Sequence, residues 1–223
     1  MAQEIPSYGN EGFRASKYQP EDSCVMCNKH PANTCNQCRS IWYCSKACQE
    51  KDWPSHKLLC KLFANQEPRP SEFHRRAIFF PVDEDKPRMI WLLCERNEDE
   101  ERGPWESTNA KSYIGDVSKG TSRIDYNPIT RRRLGSGFRA WMRREGYSIA
   151  MIYRDAFGID GSAINRSILR SVSRSNEAPA IAWSGPLVAV RELQANWSLH
   201  PVHEDVDLGD FRHIVDFFIT YYR

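Results

Sequence analysis

Apolar and polar positions divide this chain into stretches of different character. Residues 1 to about 22 mix Pro, Gly, Ser, Gln and both charges without periodicity, which predicts a mostly disordered leader over residues 1–23. Between residues 24 and 60 cysteines, not an apolar repeat, set the pattern. After "KLFANQEPRPS" (61–71), whose Pro68 and Pro70 stiffen a polar connector, the pattern becomes strand-like. "AIFFPV" (77–82) and "RMIWLLCE" (88–95), separated by the turn-like "DEDKP", predict neighbouring antiparallel strands. The acidic "ERNEDEERGPWE" (95–106) reads as an exposed loop, because such a charge run cannot repay ordering by burial. "YSIAMIYRDAF" (147–157) and "WSGPLVAVREL" (183–193) read as buried strands. "DGSAINRSILRSV" (160–172) has a polar start and then Ile164, Ile168 and Val172 at helical spacing.

The clearest helix is the C-terminal "DLGDFRHIVDFFITYYR" (207–223), where Leu208, Phe211, Val215, Phe218 and Tyr222 recur at steps of three and four and place one apolar stripe along it. Asp207 or Asp210 can cap its start. The fold expected over 24–60 is a small cysteine-rich finger with short helices and little sheet. A linker (61–71) then leads to an α+β domain over 72–223 with an antiparallel-rich sheet and a C-terminal helix.

Seven of the eight cysteines lie between Cys24 and Cys60. The chain shows no signal-peptide run and no apolar segment long enough to span a bilayer. A cytosolic or nuclear protein that is not secreted and contacts no membrane is therefore expected, and in such a reducing compartment clustered cysteines argue for thiolate ligands over disulfides. The formal net charge is +2; with seven thiolates holding two zinc ions it comes to about −1, so a globally basic nucleic-acid binder is disfavoured.

The spacing is C-x2-C-x7-C-x2-C-x5-C-x3-C-x7-H-x3-C, giving Cys24, Cys27, Cys35, Cys38, Cys44, Cys48, His56 and Cys60 as ligands. Eight ligands make two full tetrahedra. Each C-x2-C pair wraps a tight turn, while Cys44/Cys48 and His56/Cys60 are four apart and share a helix face. Ser45 can cap a first helical segment and Asp52 a second, with Pro54 tolerated in the opening turn. Helices under about 12 residues are marginal in water, so metal binding must supply the folding free energy, on the order of 10 kcal/mol or more per structural zinc. No coordination position is left open for water, so the metal is structural and not catalytic.

These residues, with "YCSKACQEKDWPSHKLLC" (43–60), resemble a MYND-type zinc finger. The resemblance implies that Cys24, Cys27, Cys44 and Cys48 bind one Zn2+ and Cys35, Cys38, His56 and Cys60 the other, an interleaving that spacing leaves open. It also implies a protein-interaction module, in which the positions of Gln49 and Trp53 contact a proline-rich peptide. A third contact is a serine in such relatives, where this chain has Asn36. Trp53 offers a flat face for a proline ring, and Gln49 sits one helical turn earlier; the bland alternative is that Trp53 only covers the zinc core.

Other motifs read as structure. "RRRLGSGFRAWMRRE" (131–145) could be a nucleic-acid patch through Arg131, Arg132, Arg133, Arg139, Arg143 and Arg144, but its apolar residues recur as on an amphipathic helix. "HPVHEDVD" (200–207) reads as a surface turn, Cys94 as a buried structural thiol, and Asp155, Asp160 and Asn165 as strand-end and cap residues. MYND fingers also occur within SET-domain methyltransferases, but only 23 residues precede Cys24 and no cofactor motif follows, which disfavours that activity. "FFPVDEDKPRMIWL", "YRDAFGIDGSAINRSI", "WSGPLVAVRE" and "DFRHIVDFF" resemble small MYND proteins of filamentous fungi. The function expected is a non-enzymatic adaptor in transcriptional or developmental regulation, in the nucleus or cytoplasm. The alternatives are an enzyme of unknown reaction within 72–223, or a nucleic-acid-binding regulator using Arg131–Arg144.

Overall fold

The computed structural model describes residues 23–27, 29–100, 103–116, 119–125, 147–173, 182–193 and 202–220. The leader up to residue 22 and the arginine-rich segment at 131–145 lie outside the described residues, and with them the readings made for both.

The finger holds a two-residue ribbon, β1 (Asn33–Thr34) against β2 (Trp42–Tyr43), followed by α1 (Lys46–His56) and α2 (Cys60–Ala64). Ser45 caps α1, its hydroxyl accepting from the Cys48 N–H at 3.2 Å. Asp52 does not start a second helix: α1 runs on through Pro54 to His56, and the Asp52 carboxylate is buried instead, accepting from the Tyr43 hydroxyl at 2.5 Å.

The body is one antiparallel sheet. Its strands are β3 (His74–Phe80), β4 (Arg88–Asp99), β5 (Gly103–Thr108), β6 (Lys119–Asp125), β7 (Tyr147–Arg154) and β8 (Leu187–Leu193), in the order β5-β4-β3-β8-β7-β6, with β9 (Val202–Glu204) also paired to β8. β3 pairs β8 only at Leu187 to Ala189; beyond that it parts from β8, and β9 takes the place beside Arg191 to Leu193.

Both faces of the sheet are covered, which is why its central strands read as nearly continuous apolar runs. One face presents Ile78, Phe80, Ile149, Met151, Leu187 and Ala189 to α4 (Arg166–Ser173) and α5 (Leu208–Thr220). The other presents Ala77, Leu92, Cys94, Ile152, Val188 and Val190, with Ile114 of the short α3 (Lys111–Ile114) against them. Asn165 caps α4, its Oδ1 accepting from the Ile168 N–H at 2.9 Å while its Nδ2 donates to the Phe80 and Gly185 carbonyls. At α5 the cap is reciprocal: Asp207 accepts from the Asp210 N–H and Asp210 from the Asp207 N–H, both at 2.9 Å.

The acidic stretch 95–106 is not an exposed loop. Its two ends are β4 and β5, laddered from Cys94↔Thr108 to Asp99↔Gly103. The ladder satisfies the backbone, and Arg75 neutralises the buried Glu106 at 2.6 Å.

α5 is buried more completely than one stripe requires. Phe211, Ile214, Val215 and Phe218 are buried, and so are Arg212 and His213, because the finger covers a second side of this helix. The Arg212 guanidinium reaches Asp52 of α1 at 3.1 Å and Asp216 at 2.6 Å. The Ser55 hydroxyl donates to the Ser171 carbonyl at 3.1 Å, and the Leu208 N–H donates to Ser40 Oγ at 2.9 Å. Leu58 and Leu59 of the finger share one apolar cluster with the helices and the sheet.

Residues 61–71 run as the end of α2 and then a strap fixed to the body. Arg76 stacks over Phe63 at 4.3 Å, the Glu67 carbonyl accepts from the Trp91 indole at 2.9 Å, and Arg69 pairs with Asp205 at 2.6 Å.

Candidate metal centre

The first C-x2-C turn closes with the Cys27 N–H on the Cys24 carbonyl at 3.3 Å, and the second with the Arg39 N–H on the Cys35 carbonyl at 2.8 Å. Arg39 follows that second turn with φ 53°, a left-handed conformation costly for a side chain with Cβ, taken where the chain must reverse to bring both sulfurs to one point. Cys44 precedes α1 and Cys48 lies in its first turn. His56 ends α1 and Cys60 opens α2.

These turns and helices assemble two tetrads, Cys24, Cys27, Cys44 and Cys48 in one, and Cys35, Cys38, His56 and Cys60 in the other, the ligand atoms of each lying within 4.8 Å of one another. In the first, Cys27 Sγ is 3.4 Å from Cys44 Sγ and 3.9 Å from Cys48 Sγ, and Cys44 Sγ is 3.7 Å from Cys48 Sγ. In the second, Cys35 and Cys60 sulfurs are 3.8 Å apart, as are Cys38 Sγ and His56 Nε2. A tetrahedron with Zn–S bonds of about 2.3 Å has edges of about 3.8 Å, so the donors already stand where a zinc ion needs them. Both tetrads are complete, the first all cysteine and the second three cysteines with a histidine. The protein binds two structural zinc ions there.

The electrostatics of the thiols agree with metal binding. Burial pushes the Cys24 and Cys35 thiols up, but backbone N–H donors outweigh it, bringing Cys24 down to about 7 and holding Cys35 below its ordinary value. Their neighbours move the other way: the bond to Cys27 takes Cys44 up to about 12, burial and the charge on Cys35 take Cys60 up to about 11, and burial raises Cys38. A metal-free tetrad thus ionises only in part, and a divalent cation supplies the charge that ionises the remainder. Burial lowers the His56 pKa, favouring the neutral imidazole that ligates.

The surroundings of the two sites differ. Only Cys24 of the first tetrad is buried, whereas all four ligands of the second are. Trp53 leans on His56 of the second site, ring centroids 5.7 Å apart, yet remains 44% exposed. Gln49, half-buried, lies one turn earlier on α1, and Asn36 is exposed in the second C-x2-C turn. Tyr43 is buried and Trp42 half-buried.

Of the residues singled out elsewhere in the body, Asn165 and Asp160 serve the fold. Asn165 is a buried cap, and Asp160 accepts from the Ser162 N–H at 2.8 Å in a turn. Cys94 is buried, and burial together with Glu106 raises its thiol to about 12. The segment 200–207 is not wholly a surface turn: Val202–Glu204 form β9 and His203 is buried. Two features carry no local sequence signal, the Asp52–Arg212 pair and the meeting of Cys94, Glu106 and His203, because each joins residues far apart in the chain.

Residues 24–60 match the family model of the MYND finger. Among curated proteins, the chain is 46% identical over 48 residues to ubiquitin carboxyl-terminal hydrolase 19 of Arabidopsis thaliana (21% of this chain, 7% of the relative). It is 42% identical over 40 residues to the zinc finger MYND domain-containing protein 10 homolog of Drosophila melanogaster (18% and 9%). It is 49% identical over 41 residues to SET domain and MYND-type zinc finger protein 6 of Schizosaccharomyces pombe (18% and 8%). The matched part spans less than a tenth of each of these relatives. No solved structure matches. The N-terminal block is therefore a MYND-type zinc finger, a protein-interaction module that is itself non-catalytic.

Proposed function

We propose that this protein is an adaptor whose MYND finger recruits a protein partner through the surface of α1 that carries Trp53 and Gln49, with Asn36 at its margin. The observation that carries this reading is Trp53. Its ring packs on His56, which fixes its orientation, and nearly half of it faces solvent. A rigid, half-open indole with a hydrogen-bonding amide one turn away suits a proline-rich peptide, whose preformed extended helix loses little entropy on docking. Asn36 offers both a donor and an acceptor where peptide-binding relatives use a hydroxyl.

The α+β body supplies a second surface and holds the finger in a fixed orientation, through α1 against α4 and α5. No catalytic role is assigned to either part. The setting we favour is transcriptional or developmental regulation in the nucleus or cytoplasm, with partners bound through protein and not through nucleic acid. The test is affinity capture with the full chain and its Trp53→Ala and Gln49→Ala variants. Proteins retained by the wild type and lost from both variants, with zinc content unchanged, support the reading; an identical retained set from all three overturns it.

A further inference from the structure

We infer that Cys94, Glu106 and His203 form a third metal-ion site, inside the α+β body, for a divalent transition ion of the zinc class. The three side chains come from β4, β5 and β9, and their donor atoms lie within 4.8 Å of one another. They meet because β9 replaces β3 beside β8 and carries His203 across to the β4–β5 hairpin. The register Cys94↔Thr108 and Arg96↔Glu106 puts Cys94 and Glu106 on the same face of that hairpin.

The cluster is closed to solvent: Cys94 is 0%, His203 4% and Glu106 8% exposed. It is also held in place as a metal site is. Glu106 Oε1 accepts from the Arg75 guanidinium at 2.6 Å, and its Oε2 from the His203 N–H at 2.7 Å, the kind of outer partners that fix a ligating carboxylate. His203 Nδ1, buried, stands 3.4 Å from Glu106 Oε2, at ion-pair distance but without the geometry of a hydrogen bond. A buried imidazole nitrogen without a well-formed hydrogen bond is costly, and an ion between the imidazole, the carboxylate and the thiol removes that cost. An Arg75–Glu106 pair alone would need neither the thiol nor the imidazole.

Thiolate, imidazole and carboxylate together are donors of the zinc class. On binding, the metal–sulfur bond replaces the Cys94 S–H bond and the proton leaves to solvent. The thiolate and carboxylate then balance the divalent charge, and Arg75 stays on Glu106. Three protein donors leave a fourth coordination position, unlike the two filled tetrads of the finger.

The test is metal analysis of the full chain produced with zinc in the medium. Three zinc ions per chain are expected, falling to two in Cys94→Ser and in His203→Ala, with the finger's two retained. A wild-type content of two overturns the inference, and so does a content of three that survives both substitutions. Should the variants fold poorly, cadmium-113 resonance spectra of the wild-type chain decide: three signals are expected, one of them far upfield of the two sulfur-rich sites, and two signals alone overturn it. A content of one or none would instead strike the finger reading, so the two failures are distinguishable.

Discussion

The second zinc site is buried on every ligand and the first is half-open, although both draw on the same short stretch of chain. Around the first site lie a turn, a ribbon end and the solvent-facing start of α1. Around the second lie Tyr43, Asp52 and, through Arg212, the C-terminal helix. Cys35, Cys38 and Cys60 belong to the same apolar cluster as Phe80 of the sheet and Phe211 of α5. One ion therefore clasps a surface loop, while the other stands within the core of the whole molecule. A metal module of this size need not be an independent bead, and burial decides how far the loss of an ion is felt.

The largest effect follows from the second site. His56→Ala should lose one zinc, unfold the finger, for which metal binding supplies on the order of 10 kcal/mol, and lower the melting temperature of the body by roughly 10 °C as α5 is uncovered. Calorimetry that finds the body transition unmoved would remove the contrast between the two sites. Next comes the ion pair: Arg212→Met leaves a buried carboxylate without its cation and should cost about 3–5 kcal/mol, while adding Asp52→Leu together with Tyr43→Phe, whose hydroxyl Asp52 accepts from, should restore much of it. Chemical denaturation of the two variants measures both.

A smaller effect is expected at the first site. Cys44→Ser should release one zinc and shift the body transition by only about 1–2 kcal/mol, because three of the four ligands of its site are only half-buried. The same contrast predicts two phases of zinc release with a thiol-reactive reagent, the first site emptying before the second; a single phase would erase the distinction. The smallest effect on stability belongs to Trp53→Ala, within about 1 kcal/mol, and it should come with at least about a tenfold loss of partner affinity.

Metal ligation was legible because it is local. C-x2-C turns and i,i+4 helix pairs announce themselves in spacing, and so do the strands at 77–82 and 88–95 and the stripe of α5. What failed to show was long-range. Asp52 read as a helix cap because its partner Arg212 lies far along the chain, and α5 showed one stripe because nothing local says that a finger will cover its other side. The acidic run 95–106 read as a loop since a buried Glu106 becomes tolerable only once Arg75 arrives from β3. His203 read as surface for the same reason, its burial set by the departure of β3 from β8.

The sharpest test of partner recruitment by the finger is photo-crosslinking from single positions of the full chain in cells. A photoreactive phenylalanine analogue at Glu50, exposed on α1 beside Gln49 and the half-open Trp53, is predicted to form adducts with a partner protein. The same group at Ile159, an apolar residue of the body that is 91% exposed, is predicted to give no such adduct. Equal labelling from the two positions, or adducts from Ile159 alone, would contradict recruitment through α1.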